Sequence, residues 1–192
     1  LRGSIEQEAI AAEAVGGKYI RPIVLFQAQP RTGDNSDTFD KIKAMLVGMG
    51  ISKSQIAVKT SDVDDLKGQN LMSRDCEIRY IITVNALKEG WDCPFAYILA
   101  SIANKTSQVQ VEQILGRILR LPHTTQHRQS SLNMSYVLTS SNDFNETVKG
   151  IIQGLNDAGF SDKDYRVSEP PTPKAPDPVQ ITIDNGCSKK ET

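Results

Sequence analysis

The chain has 192 residues, 39% of them hydrophobic and 6% aromatic, with a formal net charge of −1. That length supports one domain with a real core, and near-neutral charge excludes bulk attraction to polyanions, so any nucleic-acid contact must come from a local patch. No apolar run is long enough to span a bilayer, and three cysteines without C-x-x-C spacing, with no signal peptide, point to a reducing, cytoplasmic setting.

Strand and helix patterns alternate along the chain. Residues 4–15 (SIEQEAIAAEAV) read as a helix capped by Ser4 and stopped by Gly16 and Gly17. Residues 23–28 (IVLFQA) are a continuous apolar run, as in a strand buried on both faces. Residues 36–48 space Phe39, Ile42, Met45 and Leu46 at helical intervals, with Ser36 as the cap. Residues 55–59 (QIAVK) form a short strand, and 62–73 fit at most one short helix, with Asp62, Asp64 and Asp65 as its solvated start. Strands follow at 78–84 (IRYIITV) and 96–102 (AYILASI), then a helix over 107–120, a strand at 134–139 (MSYVLT) and a helix over 142–159. Such alternation predicts an α/β fold with a mainly parallel sheet covered on both faces. The expected domain spans residues 1–165, and 166–192, with its EPPTPKAPDP run, reads as a proline-rich linker or tail. Within that tail, VQITID has the pattern to start a strand or to pair on an edge. The chain does not begin with Met, so it is expected to be a piece of a larger protein.

The most informative stretch is QILGRILR at residues 113–120. Arg117 and Arg120 stand three residues apart, so on a helix both guanidiniums leave from one face. Between Lys105 and Asn142 the only acid is Glu112. A charged fork is costly without an anionic receiver, and a polyphosphate suits a pair of guanidiniums. The alternative for an isolated R-x-x-R is a pair of solvated surface arginines.

A second constellation, VNALKEGWDCP at residues 84–94, follows the strongest strand. The carboxyl edge of a parallel sheet is where ligands bind. There Gly90 permits close backbone approach, Asp92 offers an acceptor for a ribose hydroxyl or a basic side chain, and Asn85 and Lys88 are within reach of a phosphate backbone. Taken alone, the stretch also reads as an ordinary strand-to-turn connection. Trp91 fits packing better than base stacking. His123 and His127 have i, i+4 spacing, but Pro122 and polar neighbours favour a solvated loop over a metal site.

Read together, the two stretches resemble motifs V and VI of superfamily 2 helicases, found on their second RecA-like domain. EGWDCP looks like motif V, and QILGRILR matches the motif VI pattern Q-x-x-G-R-x-x-R at Gln113, Gly116, Arg117 and Arg120. RPIVLFQAQP looks like the looser motif IV. The E-G-W-D wording and the R-x-L-R-L-P ending look closest to the helicase subunit of type III restriction enzymes. The resemblance covers about residues 20–160.

It implies a P-loop-type, RecA-like three-layer fold in which ATP and Mg2+ are held mainly by an N-terminal RecA-like domain of the same parent. Arg117 and Arg120 would then act as arginine fingers. Gln113, Gly116, Gly90 and Asp92 would bind and couple the nucleotide. Gln27, Thr60, Asn85 and Lys88, with Gln29 and Ser61, are candidate contacts to DNA, RNA being possible. Phosphoryl transfer spreads charge over the γ-oxygens, and a positioned arginine can add roughly three to five orders of magnitude in rate.

No G-x-x-x-x-G-K-[ST] and no DExH tetrad occurs in the chain. AVGGKY at 14–19 follows a helix, where glycine is an ordinary C-cap, and Tyr19 stands where a phosphate loop needs Ser or Thr. This stretch of chain is therefore expected to be inactive alone. The competing readings are an RNA helicase domain and a RecA-like module that only docks nucleic acid or protein. A dinucleotide-binding domain is disfavoured because no G-x-G-x-x-G follows any strand.

Overall fold

The computed structural model describes residues 1–28, 39–84, 93–101, 123, 125–139, 144–157, 159, 161, 165 and 167. Its elements are α1 (Arg2–Ala14), β1 (Ile23–Gln27), α2 (Phe39–Gly48), β2 (Ile56–Lys59), β3 (Tyr80–Thr83), β4 (Ala96–Ser101), β5 (Tyr136–Thr139) and α3 (Phe144–Asp157). Single 3-10 turns at Lys53–Gln55 and Ser130–Asn133 lead into β2 and β5. The strands form one sheet in the order β2-β3-β1-β4-β5, and every pairing is parallel. This is the α/β class with a parallel sheet expected from the alternation of elements.

Helix α1 starts earlier than its pattern suggests. Leu1 is the N-cap residue, and Ser4 lies inside the first turn. The Arg2 guanidinium pairs with Glu6 one turn on, at 2.8 Å, and donates to the Tyr80 hydroxyl at 3.1 Å, which gives the chain reason to be helical from Arg2. The helix ends at its glycines as expected. Gly16 takes φ +90°, and Gly17 N–H donates to Ala12 C=O at 2.9 Å, closing a Schellman turn.

Two apolar clusters cover the two faces of the sheet. The residues in register across β2, β3, β1 and β4, namely Ala57, Ile81, Leu25 and Leu99, belong to the larger one. That cluster also takes Ile5, Ala9 and Ala12 from α1, and Leu66, Leu71 and Cys76 from the β2–β3 connection. The smaller cluster joins Ile42 and Leu46 of α2 to Ile56, Val58 and Ile82, which face the other way by strand alternation. Strand β1 is central and buried on both sides, which is why it reads as an unbroken apolar run.

The 62–73 segment is not helical. It forms turns that seal the β2 edge of the sheet. Asp65 N–H donates to Val58 C=O at 3.0 Å, and its carboxylate accepts from Val58 N–H at 2.9 Å. Lys59 pairs with Asp64, and this hydrogen bond is the main reason the Asp64 carboxyl is held below its usual range. Asp64 and Asp65 therefore complete an edge strand instead of starting a helix, since an edge presents unpaired N–H and C=O groups that must be covered.

Arg21 is 1% exposed, and its guanidinium donates to the carbonyls of Leu71 (2.5 Å) and Ser73 (2.6 Å). It also lies over the Phe95 ring, 5.9 Å from the centroid. It thereby ties the β2–β3 connection to the entries of β1 and β4. His123, expected in a solvated loop, instead bonds Tyr19 C=O through Nε2 at 2.9 Å and stacks edge-on against Phe95.

Candidate functional site: the carboxyl edge of the sheet

All five strands run the same way, so their last residues share one edge. The register aligns Lys59, Thr83, Gln27, Ser101 and Thr139 across β2, β3, β1, β4 and β5. Two residues back, the same face carries Ala57, Ile81, Leu25, Leu99 and Val137. Polarity therefore switches from apolar to hydrogen-bonding in every strand at the same depth. Thr83, Gln27 and Ser101 are nonetheless buried, at 1%, 5% and 4% exposure.

The crossovers make the middle of this edge special. From β1 the chain moves toward β2, with α2 packed on one face. The β2–β3 connection packs into the opposite cluster, and β4 leads the other way, to β5. Neighbouring strands β1 and β4 thus feed connections in opposite directions. In open α/β sheets this is the switch point, and ligands bind in the crevice outside it. Gln27 ends β1 and Ser101 ends β4. The Ser101 hydroxyl donates to Gln27 Oε1 at 3.0 Å, so the two strand ends are joined across the switch point.

Thr60, directly after β2, turns its hydroxyl inward. Its Oγ1 accepts from the N–H groups of Asp62 (3.2 Å) and Val63 (3.0 Å), and so organises the edge-sealing turn. Ser61 is exposed. Of the EGWDCP stretch, Cys93 is buried in the larger cluster, and Pro94 lines a cavity of about 270 Å3 with Lys59, Asp64 and Lys67. Gln29, Asn85, Lys88, Gly90, Trp91, Asp92, Gln113, Gly116, Arg117 and Arg120 lie outside the described residues. Their connections to the fold are nevertheless defined: β3 delivers the chain to the carboxyl edge at Thr83, before 84–94, and β4 delivers it there at Ser101, before 102–122. β3 and β4 flank β1, so these two departures are separated by one strand, roughly 10 Å.

Sequence reasoning missed Ser101. It ends an otherwise apolar run, AYILAS, inside the strand expected at 96–102, where nothing in the local pattern sets it apart. A polar residue closing a run that is buried on both faces was the available signal.

No protein-family model matches the chain, and no curated protein matches it. Among solved structures it is similar to the C-terminal part of the Fun30 ATPase domain, at 12% identity and TM-score 0.45, over 78% of this chain and 43% of that one. It is also similar to the ATP-dependent Type ISP restriction-modification enzyme LlaBIII bound to DNA, at 16% identity and TM-score 0.44, over 73% of this chain and 10% of that one. A third is the S. cerevisiae Dbp5 C-terminal domain bound to Gle1 and IP6, at 14% identity and TM-score 0.34, over 80% of this chain and 93% of that one. The chain thus spans less than half the length of the first two. The fold assignment rests on the chain's own strand order and registers.

Among the described residues no helix is long and apolar enough to cross a membrane.

Proposed function

We propose that the chain is the C-terminal motor domain of an ATP-dependent DNA helicase or translocase of the restriction-enzyme type. The observation that carries this reading is the sequence Q-x-x-G-R-x-x-R at Gln113, Gly116, Arg117 and Arg120, in a stretch whose only acid is Glu112. It is supported by order: EGWDCP follows β3, QILGRILR follows β4, and both strands end on one sheet edge beside β1.

In this reading ATP and Mg2+ are held mainly by an N-terminal RecA-like domain of the same parent, because this chain carries no phosphate-loop sequence. When bound, ATP supplies the transferred γ-phosphoryl group. Arg117 and Arg120 meet the negative charge that develops on its oxygens. Gly90, Asp92, Gln113 and Gly116 couple the nucleotide to the cleft. Gln27, Thr60, Asn85 and Lys88 hold the nucleic-acid backbone. An arginine delivered across a closing cleft makes hydrolysis conditional on domain closure, and alternating closure with alternating grip gives translocation.

The test is nucleic-acid-stimulated ATPase of the full-length parent, with DNA and RNA as separate arms. Arg117→Ala and Arg120→Ala are each expected to lower the stimulated rate roughly a hundredfold or more, with ATP binding largely retained. Wild-type rates in both variants would sink the finger assignment and leave a docking module as the better account. Stimulation by RNA alone would move the substrate from DNA to RNA.

A further inference from the structure

We propose that His123 is a positioning residue for the arginine fork: it pins the chain just beyond QILGRILR to the entry ends of β1 and β4, and so fixes where Arg120 is presented. The inference rests on the motor-domain reading for what Arg120 does, and on the contacts of His123 for how the chain is held there.

His123 Nε2 lies 2.9 Å from the carbonyl oxygen of Tyr19, 104 residues away in sequence. A carbonyl only accepts, so Nε2 carries the hydrogen and donates it. The ring also meets Phe95 edge-on, with 5.9 Å between centroids, and Phe95 is fully buried. Tyr19 precedes β1 and Phe95 precedes β4, so both contacts lie on the entry side of the sheet. The connection that leaves the carboxyl edge at Ser101 has therefore crossed to the opposite edge by His123. Among the described residues His123 is the one non-glycine with positive φ, at +60°. Such backbone persists where its surroundings hold it, and it clusters where placement serves a function. The hold falls three residues after Arg120. Three Cα steps span at most about 11 Å, whatever path they take. Pro122 takes freedom out of that link, because its ring restricts its own φ and disfavours helical backbone at Leu121. The helix expected over 107–120 would carry Arg120 in its last turn, where helices fray. An anchor just beyond that turn removes the freedom. A guanidinium that meets a γ-phosphoryl group needs this, because a misplacement of about 1 Å can cost roughly a hundredfold in rate.

The experiment is nucleic-acid-stimulated ATPase of the full-length parent, with kcat and the KM for ATP measured separately and a thermal melt of each variant. His123→Ala is expected to lower kcat about tenfold, with KM for ATP within about twofold of the wild type. Glutamine places an N–H near the position of the histidine Nε2, so His123→Gln is expected to keep kcat within about threefold. Asparagine tolerates positive φ, but its amide is too short to reach Tyr19, so His123→Asn is expected to behave like His123→Ala. Where His123→Ala fails to fold, the contrast between the Gln and Asn variants carries the test. In an Arg120→Ala background the His123→Ala substitution is expected to lower the rate by less than about twofold, because both act through one guanidinium. A lowered melting temperature with wild-type kcat below the melt, in His123→Ala or His123→Asn, would overturn this inference and leave the motor-domain reading standing. The same fold loss in the Arg120→Ala background as in the wild type would overturn it in favour of an anchor for the fold alone. Wild-type rates in Arg120→Ala itself would overturn the finger assignment and this inference together.

Discussion

Tyr97 shows how one buried hydroxyl fastens a turn to the sheet. It is the extra residue of β4 opposite the Ile23–Val24 step, it is 2% exposed, and its O–H donates to Leu132 C=O at 2.9 Å. Burial pushes its pKa well above that of a free tyrosine. The folded state therefore holds this proton more tightly than the unfolded chain does. The associated stability is fully present below about pH 10, the unfolded value, and is lost as pH rises beyond it. Tyr97→Phe is expected to cost about 1–2 kcal/mol at pH 7, read by urea denaturation, and to flatten the loss of stability above about pH 10. An alkaline limb as steep as that of the wild type would assign the effect to other groups. Arg21 makes a related case with a charge. Arg21→Lys keeps the charge but cannot span the Leu71 and Ser73 carbonyls as a fork, so it is expected to destabilise by about 2 kcal/mol in the same assay.

Two glycines at helix ends behave oppositely because of what surrounds them. A Cβ on Gly17 would lie 2.6 Å from Ala12 C=O, the carbonyl that its own N–H caps. A Cβ on Gly48, the last residue of α2, would meet nothing within 4 Å. Gly17→Ala is expected to open the α1 turn and lower the melting temperature by several degrees, roughly 1–2 kcal/mol. Gly48→Ala is expected to stabilise by about 0.5–1 kcal/mol through helix propensity and a less flexible unfolded chain. Equal shifts of the same sign in a thermal melt would mean that helix propensity, not local space, governs both sites. The β2 edge obeys a similar local rule. Asp65 supplies through its carboxylate and its N–H what a sixth strand would have supplied to Val58.

At the scale of the molecule, the order β2-β3-β1-β4-β5 assembles the candidate site. It sets β1 between the two strands that lead into the EGWDCP and QILGRILR stretches, and it joins Gln27 to Ser101. A chain ending at residue 165 is expected to melt within about 2 °C of the 192-residue chain, because the EPPTPKAPDP run that follows has no periodic apolar face to bury and leads away from the sheet as an extended linker. A drop of ten degrees would show that the tail, through VQITID for example, completes the sheet.

Local pattern was enough for much of this. A short apolar run such as IVLF, bounded by proline and polar residues, reads as a strand buried on both faces, and a Gly-Gly pair after a helical run ends a helix, because both readings rest on backbone and burial over a few residues. The candidate arginine fork and the Gly-x-Asp were legible for the same reason, since their information lies in short spacing. What sequence could not supply was everything that depends on distant chain. Arg2 starts α1 ahead of Ser4 because Tyr80 receives its guanidinium, 78 residues away. Asp64 and Asp65 seal an edge only because β2 is the strand left at the end of the sheet. Gln27 and Ser101 stand 74 residues apart and meet only because β4 crosses to the far side of β1. Composition and spacing determined the elements and the chemistry available at their ends. The strand order, a choice among packings that local propensity does not distinguish, decided which ends became neighbours.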